Sequence, residues 1–178
     1  MSISNPPLIT LLGSSSGKNA GDAALISGIM DSIDRAYGSK IRYNIPTVRP
    51  SFIDSAYPDH RAKSVSMLPQ HLSIKMLGLP TWNSMLKSDL SLVFDAVLFD
   101  RSLYNPLFNY LSTLSVLLPM AKKRGKKFGL FSVTAGPVKT KAGQDMLKRI
   151  SELADFITVR DRGSLDVLNS LDVQNDNI

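Results

Sequence analysis

Apolar and polar residues are arranged in blocks that predict strands and helices in alternation. Residues 7–13 form a short apolar run closed by a glycine, as is typical of a buried strand. After a loop of small residues, apolar side chains recur at helical spacing from residue 22 to residue 37. A second strand is predicted at residues 40–48. The chain therefore opens with a strand, a loop, a helix and a second strand.

The pattern is broken in the middle and becomes regular again in the second half. Five prolines between residues 46 and 80 predict irregular structure with short helices. Beyond them, strands are predicted at 95–100, 128–134 and 156–159, and helices at 106–123, 141–153 and 164–171. Pro119 is expected to bend its helix or end it early. Strands alternating with helices predict an α/β fold, a Rossmann-like, doubly wound parallel sheet with its ligand crevice at the carboxyl ends of the strands.

The length and composition of the chain favour one domain. With 178 residues, of which 43% are hydrophobic, residues 1–178 are expected to form a single Rossmann-like domain with a sizeable core. No apolar segment is long enough to predict a transmembrane helix or a signal peptide, so a cytoplasmic location is expected. The absence of cysteine excludes disulfides, thiolate zinc sites and thiol nucleophiles.

The positive charge of the chain suits an anionic partner but does not identify one. The net charge is +6, and the densest basic run spans residues 122–127, between a predicted helix and a predicted strand. Cations stabilise the end of a helix, so a structural role is expected for this run; anion or membrane-surface binding is the alternative. Nucleic-acid binding is not expected, because no recognition module accompanies the charge.

The first candidate site is the loop at residues 13–22, with the sequence Gly-Ser-Ser-Ser-Gly-Lys-Asn-Ala-Gly-Asp. Small residues let a ligand approach the backbone, and the N–H groups at a helix start attract a phosphate or a carboxylate. The spacing from Gly13 to Lys18 is one residue too short for a P-loop, and Asn19 stands where a magnesium-binding Ser or Thr is required. The glycines do not match the dinucleotide-binding fingerprint either. An ordinary tight turn is the alternative.

The second candidate site is the segment Thr-Val-Arg-Asp-Arg-Gly-Ser at residues 158–164, where a predicted strand leads into a helix. Arg160 leaves the strand at its carboxyl end, and its guanidinium can bind a carboxylate or a phosphate through two hydrogen bonds. Asp161 could hold Arg160 in place, or could cap the helix together with Ser164. A purely structural pairing of Arg160 with Asp161 is the alternative to ligand binding.

In this order and separation, the two segments resemble the signatures of the polysaccharide pyruvyltransferase family. That family opens with a strand, a glycine-containing loop and an Asn-x-Gly-Asp step into a helix, which Asn19, Gly21 and Asp22 match. Its Gly-Pro step after a central strand has a counterpart at residues 136–137, and its strand-end Val-Arg-Asp with a following Ser at residues 159–164. The resemblance implies a domain similar to the N-terminal half of a two-domain GT-B-like enzyme.

The chain departs from the family pattern in two places. The family follows its central strand with a run of glycines, whereas here Phe99 leads into the bulkier residues 100–104. Family enzymes also have a second Rossmann-like domain across a cleft, and this sequence ends about where that domain would begin. The family's C-terminal domain is therefore expected to be absent, and a partner chain could supply it.

The resemblance implies transfer of a pyruvyl group from phosphoenolpyruvate to a sugar or a lipid-linked glycan, as a ketal, in cell-surface polysaccharide biosynthesis. Phosphoenolpyruvate is the donor substrate, and no cofactor or metal is expected. Arg160 is the best candidate for holding the donor, and Asn19, Gly21 and Asp22 would shape the floor of the cleft. No catalytic residue is assigned, because the family's histidine and a further arginine belong to the other domain.

Two other functions stay open at this point. The chain could be a catalytically silent binding or interaction module that pairs with another protein, or a glycosyltransferase-like domain that binds a nucleotide sugar. Neither His60 nor His71 is a candidate site residue, because both lie in the proline-rich middle, away from the two sites. Both are expected to be surface or structural residues.

Overall fold

The structure of the chain, a computed structural model, describes residues 6–13, 20–38, 41–58, 61–67, 74–103 and 110–178, and of residues 74–77 the backbone. In this part of the chain the strands are β1 (Leu8–Leu12), β2 (Arg42–Thr47), β3 (Ala62–Ser66), β4 (Leu90–Leu98), β5 (Lys127–Ala135) and β6 (Phe156–Val159). The helices are α1 (Ala20–Tyr37), α2 (Pro50–Ala56), α3 (Ile74–Lys87), α4 (Tyr110–Lys123), α5 (Lys141–Leu153) and α6 (Arg162–Ser170). None of these helices is both long and apolar enough to cross a lipid bilayer.

The strands form one parallel six-stranded sheet in the order β3-β2-β1-β4-β5-β6. The chain winds outward from β1 to β3, returns through α3 to β4, and winds outward again to β6. This order confirms the predicted Rossmann-like, doubly wound fold. The winding reverses between β1 and β4, so the carboxyl ends of these two strands border the crevice that such sheets use for ligands.

Neighbouring residues of the central strands pack into two different cores, one on each face of the sheet. Leu11 in β1 and Leu92 in β4 belong to the core that includes residues of α1 and α2. Leu12 and Val93, the next residues along, belong to the core that includes residues of α4 and α5. All four side chains are buried. Both faces of a parallel sheet are packed against helices, so consecutive residues of its strands are buried. The strands are therefore almost continuously apolar in sequence.

The proline-rich middle is more regular than the sequence predicts. Irregular structure with short helices is the expectation there, whereas the structure contains α2, β3 and the 14-residue helix α3. Pro50 is the first residue of α2. A backbone N–H at that position would have no acceptor within the helix, so the N–H that proline lacks is not needed. Pro80 lies inside α3, and the following turn buries Ser84 and Met85. Packing of α3 therefore outweighs the helix-breaking tendency of its proline.

Helix α4 and strand β4 each depart from one expectation drawn from the sequence. Pro119 is expected from the sequence to bend its helix or end it early; the second alternative is wrong, because α4 continues to Lys123, its predicted last residue. Leu114, Leu118 and Pro119 are buried, and burial of this face offsets the cost of an interior proline, about 3 kcal/mol. Strand β4 begins at Leu90 rather than at residue 95. Residues 90–94 lie between the last of the five prolines and the predicted strand, where no strand is expected from the sequence.

The basic run after α4 makes contacts with other parts of the protein. The Lys122 ammonium forms an ion pair with Asp155 at 2.8 Å. The Arg124 guanidinium lies 5.0 Å from the centre of the Trp82 ring, a distance suited to a cation–π interaction. The Lys126 ammonium donates a hydrogen bond to the Ser88 carbonyl at 3.2 Å. These three cations attach the end of α4 to neighbouring elements.

Leu114→Ala is expected to lower the free energy of unfolding by about 2–5 kcal/mol, because this side chain is fully buried in the core under α4. Val116→Ala is the matched control, since Val116 lies on the same helix with 57% of its surface exposed. The control should change stability by less than about 0.5 kcal/mol. Urea denaturation followed by circular dichroism measures both variants. Equal losses in the two would contradict this assignment of the buried face.

Candidate functional site

The crevice at the carboxyl edge of the sheet begins at Gly13, directly after β1. A Cβ atom at this position would lie 2.7 Å from the ring of Phe94 in β4, so a larger residue would displace that ring. Gly13 is buried. This glycine therefore serves close packing between β1 and β4. Residues 14–19, and with them the candidate Asn19, lie outside the described part of the chain, as do His60 and His71.

The first turn of α1 carries the candidates Gly21 and Asp22 and is held against the end of α2. The Tyr57 hydroxyl donates a hydrogen bond to the Ala23 carbonyl at 3.1 Å. Burial raises the pKa of Tyr57 and outweighs a hydrogen bond with Ser27 that lowers it; the Asp22 carboxylate adds a smaller increase. The phenol therefore stays protonated and can keep donating this bond. The first turn of α1 is thus positioned by a buried tyrosine.

Strands β4 and β5 are irregular where they approach the crevice. Asp95 in β4 has a φ of 70°, and Ser132 in β5 has a φ of 50°, both in the left-handed region that non-glycine residues seldom adopt. The pairing register between the two strands shifts on both sides of Asp95. The Ser132 N–H donates to the Thr158 hydroxyl at 2.8 Å, which attaches this irregularity to β6. Bulges of this kind redirect side chains and are common next to functional sites.

Arg160 leaves β6 and reaches back across the sheet to Asp95. Its backbone N–H donates to the Val133 carbonyl at 3.0 Å, and its guanidinium lies 3.9 Å from the Asp95 carboxylate. The Asp95 side chain is 15% exposed, whereas that of Arg160 is 60% exposed. An ion pair this long and this exposed stabilises the fold little. Most of the Arg160 side chain is therefore exposed to solvent, and its guanidinium can bind an anion.

Asp161 caps helix α6, so the second of its two predicted roles is the one that the structure supports. Its carboxylate accepts a hydrogen bond from the Ser164 N–H at 2.7 Å. Hydrogen bonds from the backbone and the side chain of Ser164 lower the pKa of Asp161, and the charge of Arg160 adds a smaller effect in the same direction. The Ser164 hydroxyl accepts from the Ala135 N–H at 3.1 Å, which joins the start of α6 to β5.

Asp100 occupies the region where the family pattern has glycines, and it joins two loops. Its carboxylate accepts hydrogen bonds from the N–H groups of Lys139 at 2.6 Å and Thr140 at 2.5 Å, just before α5. Burial alone would raise the pKa of Asp100, but these hydrogen bonds outweigh it and lower the pKa. A Cβ on Gly143 would lie 2.6 Å from the Asp100 Cβ, so only glycine fits there without movement.

The order of the strands decides which candidates can act together. Arg160 starts three strands away from β1, about 14 Å at the usual strand spacing. Its contact with Asp95 carries the guanidinium over β5 to β4, one strand spacing, about 5 Å, from β1. Gly21 and Asp22 lie on the helix that follows β1. The reach of Arg160 thus brings its charge toward the candidates at the start of α1.

Asp95 is the residue of this site that sequence reasoning missed. The available signal is a single acidic residue inside the otherwise uncharged strand Leu90–Leu98. Its position beside Arg160 depends on a bulge and on a contact between strands that are not neighbours, and neither leaves a pattern in the sequence. Among the described residues, no group of three or more histidine, aspartate or glutamate side chains could hold a metal ion.

Comparison with known families decides the relationship of the chain. The model of the polysaccharide pyruvyl transferase family matches residues 19–178. This chain belongs to that family. The match confirms the resemblance drawn from Asn19, Gly21, Asp22 and Arg160, all of which lie in the matched range. No curated protein matches the sequence significantly.

One solved structure supports the fold, and a second is similar only at a low TM-score. A candidate UDP-N-acetylglucosamine 2-epimerase from Listeria monocytogenes superposes with a TM-score of 0.61 at 10% identity, over 99% of this chain and 44% of that one. This chain therefore spans less than half the length of that neighbour. A Moco carrier protein from Chlamydomonas reinhardtii has a TM-score of 0.40 at 12% identity, over 93% of this chain and 96% of its own. At such identities the likeness concerns the fold alone.

The hydrogen bonds to Asp100 predict a loss of stability in acid. Because the folded-state pKa of this carboxyl is lowered, its stabilisation is present above the unfolded value, about 4, and is lost as the pH falls through the folded value. Asp100→Asn should therefore melt at a lower temperature than wild type at pH 7, with a difference that narrows below about pH 4.

Thermal melts of both proteins between pH 7 and pH 3 test this expectation. The matched control is Asp176→Asn, which removes an exposed carboxylate near the end of the chain and should melt like wild type throughout. A gap between wild type and Asp100→Asn that stays constant with pH would contradict the role given to the carboxylate charge.

Proposed function

We propose that this chain takes part in transferring a pyruvyl group from phosphoenolpyruvate to a sugar as a ketal, and that it provides the wall that holds the donor. The supporting observation is the Arg160 side chain, which is 60% exposed at the carboxyl edge of the sheet. Its surroundings are those in which doubly wound sheets bind ligands. Membership in the pyruvyl transferase family indicates the reaction class.

The donor matches the chemistry of Arg160. Phosphoenolpyruvate carries a carboxylate and a phosphate, and a guanidinium binds either group through two parallel hydrogen bonds. The contact between Arg160 and Asp95 is long enough, at 3.9 Å, to be exchanged for a direct bond to the donor. In this proposal Asp95 is a positioning residue, since it keeps the guanidinium over the end of β4 while the site is empty.

Asn19, Gly21 and Asp22 are proposed to form the floor of the cleft. The first N–H groups of α1 supply partial positive charge at the start of the helix. Gly21 leaves the backbone open to close approach by a ligand. Asp22 is acidic and would repel an anionic donor at short range, so we assign it to the side of the sugar hydroxyls.

The proposed reaction joins two sugar hydroxyls to one carbon of the donor. The first hydroxyl oxygen bonds to the donor carbon that carries the phosphate oxygen, and this hydroxyl loses its proton. The methylene group of the donor takes up one proton and becomes a methyl group, so this step has no net change in protons. The second hydroxyl oxygen bonds to the same carbon as the C–O bond to phosphate breaks, and its proton leaves with inorganic phosphate. No oxidant or reductant is required. An acid and a base must be positioned for these proton transfers.

We propose that the acid and the base come from a second domain or a partner chain facing the carboxyl edge. The chain covers 44% of its epimerase-like fold neighbour, so a second unit of similar size is compatible with the fold. In this proposal the described chain holds the donor, and the facing unit activates the acceptor. A sugar or a lipid-linked glycan is the proposed acceptor class.

Calorimetric titration with phosphoenolpyruvate tests the donor assignment. Wild type is expected to bind saturably, and Arg160→Gln should bind at least about tenfold more weakly, because it loses charge-assisted hydrogen bonds worth about 1.5–3 kcal/mol. Arg162→Gln removes the same charge from an exposed residue two positions further on and should bind like wild type. Circular dichroism first shows that all three proteins are folded.

Two outcomes would oppose this function. Equal affinity of wild type and Arg160→Gln would remove Arg160 from the donor site, and a folded wild type with no saturable binding would remove the donor site from this chain. UDP-N-acetylglucosamine is titrated in parallel, because the fold neighbour is described as acting on it. Binding of that nucleotide sugar without phosphoenolpyruvate binding would favour the glycosyltransferase-like alternative.

A further inference from the structure

A second cavity lies at the opposite edge of the sheet, where the strands begin. It has a volume of about 540 Å³ and opens between the C-terminal half of α3 and the first residues of β1, β2 and β3. Small-molecule sites have volumes of roughly 300–1,000 Å³, so the cavity can hold a metabolite-sized compound. It faces away from the crevice that contains Arg160.

The lining of this cavity is strongly basic. It includes Arg42, Arg61, Lys63 and Lys87, and none of its described lining residues carries a carboxylate. Four cations around one concave surface focus a positive potential into it. An anion of at least two charges would relieve their mutual repulsion. The positive charge of the cavity therefore indicates a negatively charged ligand.

Structural roles account for only some of these cations. Thr10, Asn44 and Lys63 stand side by side in the register of β1, β2 and β3, on the face that α3 covers in part. Both faces of a parallel sheet are normally lined with apolar residues. Lys63 lies on the edge strand β3, where a lysine protects the sheet against edge-to-edge aggregation. That explanation does not apply to Arg42, because β2 has a paired strand on each side.

The other two cations have weaker structural explanations. Lys87 lies in the last turn of α3, where a cation offsets the partial negative charge of the helix end. Arg61 precedes β3 in a left-handed conformation, with a φ of 46°. Among the described residues, no helix end or ion pair accounts for its charge there. The four cations share one feature, the cavity that they line.

The floor of the cavity is held in one arrangement by buried hydrogen bonds. The Asn44 amide donates to the Ser84 hydroxyl at 3.0 Å, and that hydroxyl is bonded to the Thr10 hydroxyl at 2.7 Å. Thr10 and Ser84 are buried. Arg42 is fixed at the rim, because its Nη2 donates to the Pro6 carbonyl at 3.1 Å. A preformed floor lowers the entropy cost of binding.

We propose that this cavity binds an organic phosphate with at least two negative charges, at a site separate from the carboxyl-edge crevice. Arg61, Lys63 and Lys87 contact the phosphate groups, and Arg42 contributes from the rim. Leu8, Val65 and Pro80 supply an apolar wall for the organic part of the ligand. The ligand class includes nucleoside diphosphates and similar phosphate esters.

Calorimetric titration with ADP tests this site, with inorganic pyrophosphate as the comparison. ADP should bind saturably at one site per chain and more tightly than pyrophosphate, which has no organic part for the apolar wall. Arg61→Gln and Lys63→Gln should each weaken ADP binding about tenfold, as expected for the loss of a charged hydrogen bond. Lys63→Arg keeps the charge and should retain binding.

Two control variants show where the ligand sits. Lys123→Gln removes an exposed cation from the end of α4, outside this cavity, and should leave ADP binding unchanged. Arg160→Gln should also leave it unchanged, because Arg160 belongs to the other edge of the sheet. Circular dichroism checks folding of every variant. ADP binding that is lost in Arg160→Gln but kept in Lys63→Gln and Arg61→Gln would overturn the proposal, as would the absence of saturable ADP binding.

Discussion

The requirement that a parallel sheet be covered on both faces determines most of this structure. Leu11 and Leu12 are consecutive, yet each belongs to a different core, and the same holds for Leu92 and Val93. Because β1 and β4 bury both faces, helices must lie on both sides, and the chain must reverse its winding between these strands. The crevice at their carboxyl ends is a consequence of the way in which the core is covered.

The candidate site depends on departures from regular strand geometry at that crevice. Asp95 and Ser132 adopt left-handed conformations that cost of order 1–3 kcal/mol each, and the surrounding sheet sustains them. In return, a carboxylate from β4 meets a guanidinium from β6 across an intervening strand. The cation is held in position but remains mostly exposed. This combination suits binding of an anionic substrate better than it suits stabilisation of the fold.

The sequence predicted the fold well where periodicity and caps agree, and poorly where prolines dominate. The limits of α5 and β6 match their predictions, because Thr140 caps a helix with a clear apolar face and β6 is a short apolar run. The prediction for the middle of the chain was wrong because a proline indicates a helix break from its neighbours alone. The burial of α3 and α4 depends on contacts with residues distant in sequence. Arg160 was found from its position after a strand and from the family pattern. Asp95 was not, since its role arises only when the strands assemble.

Asp100 gives the crevice a mechanical property. By accepting two backbone hydrogen bonds from the segment before α5, it couples the loop after β4 to the loop after β5. The two loops border the same edge of the sheet, so neither can shift without breaking bonds to a charged group. These two segments are therefore mechanically linked at Asp100, so a ligand that displaces one of them must displace the other.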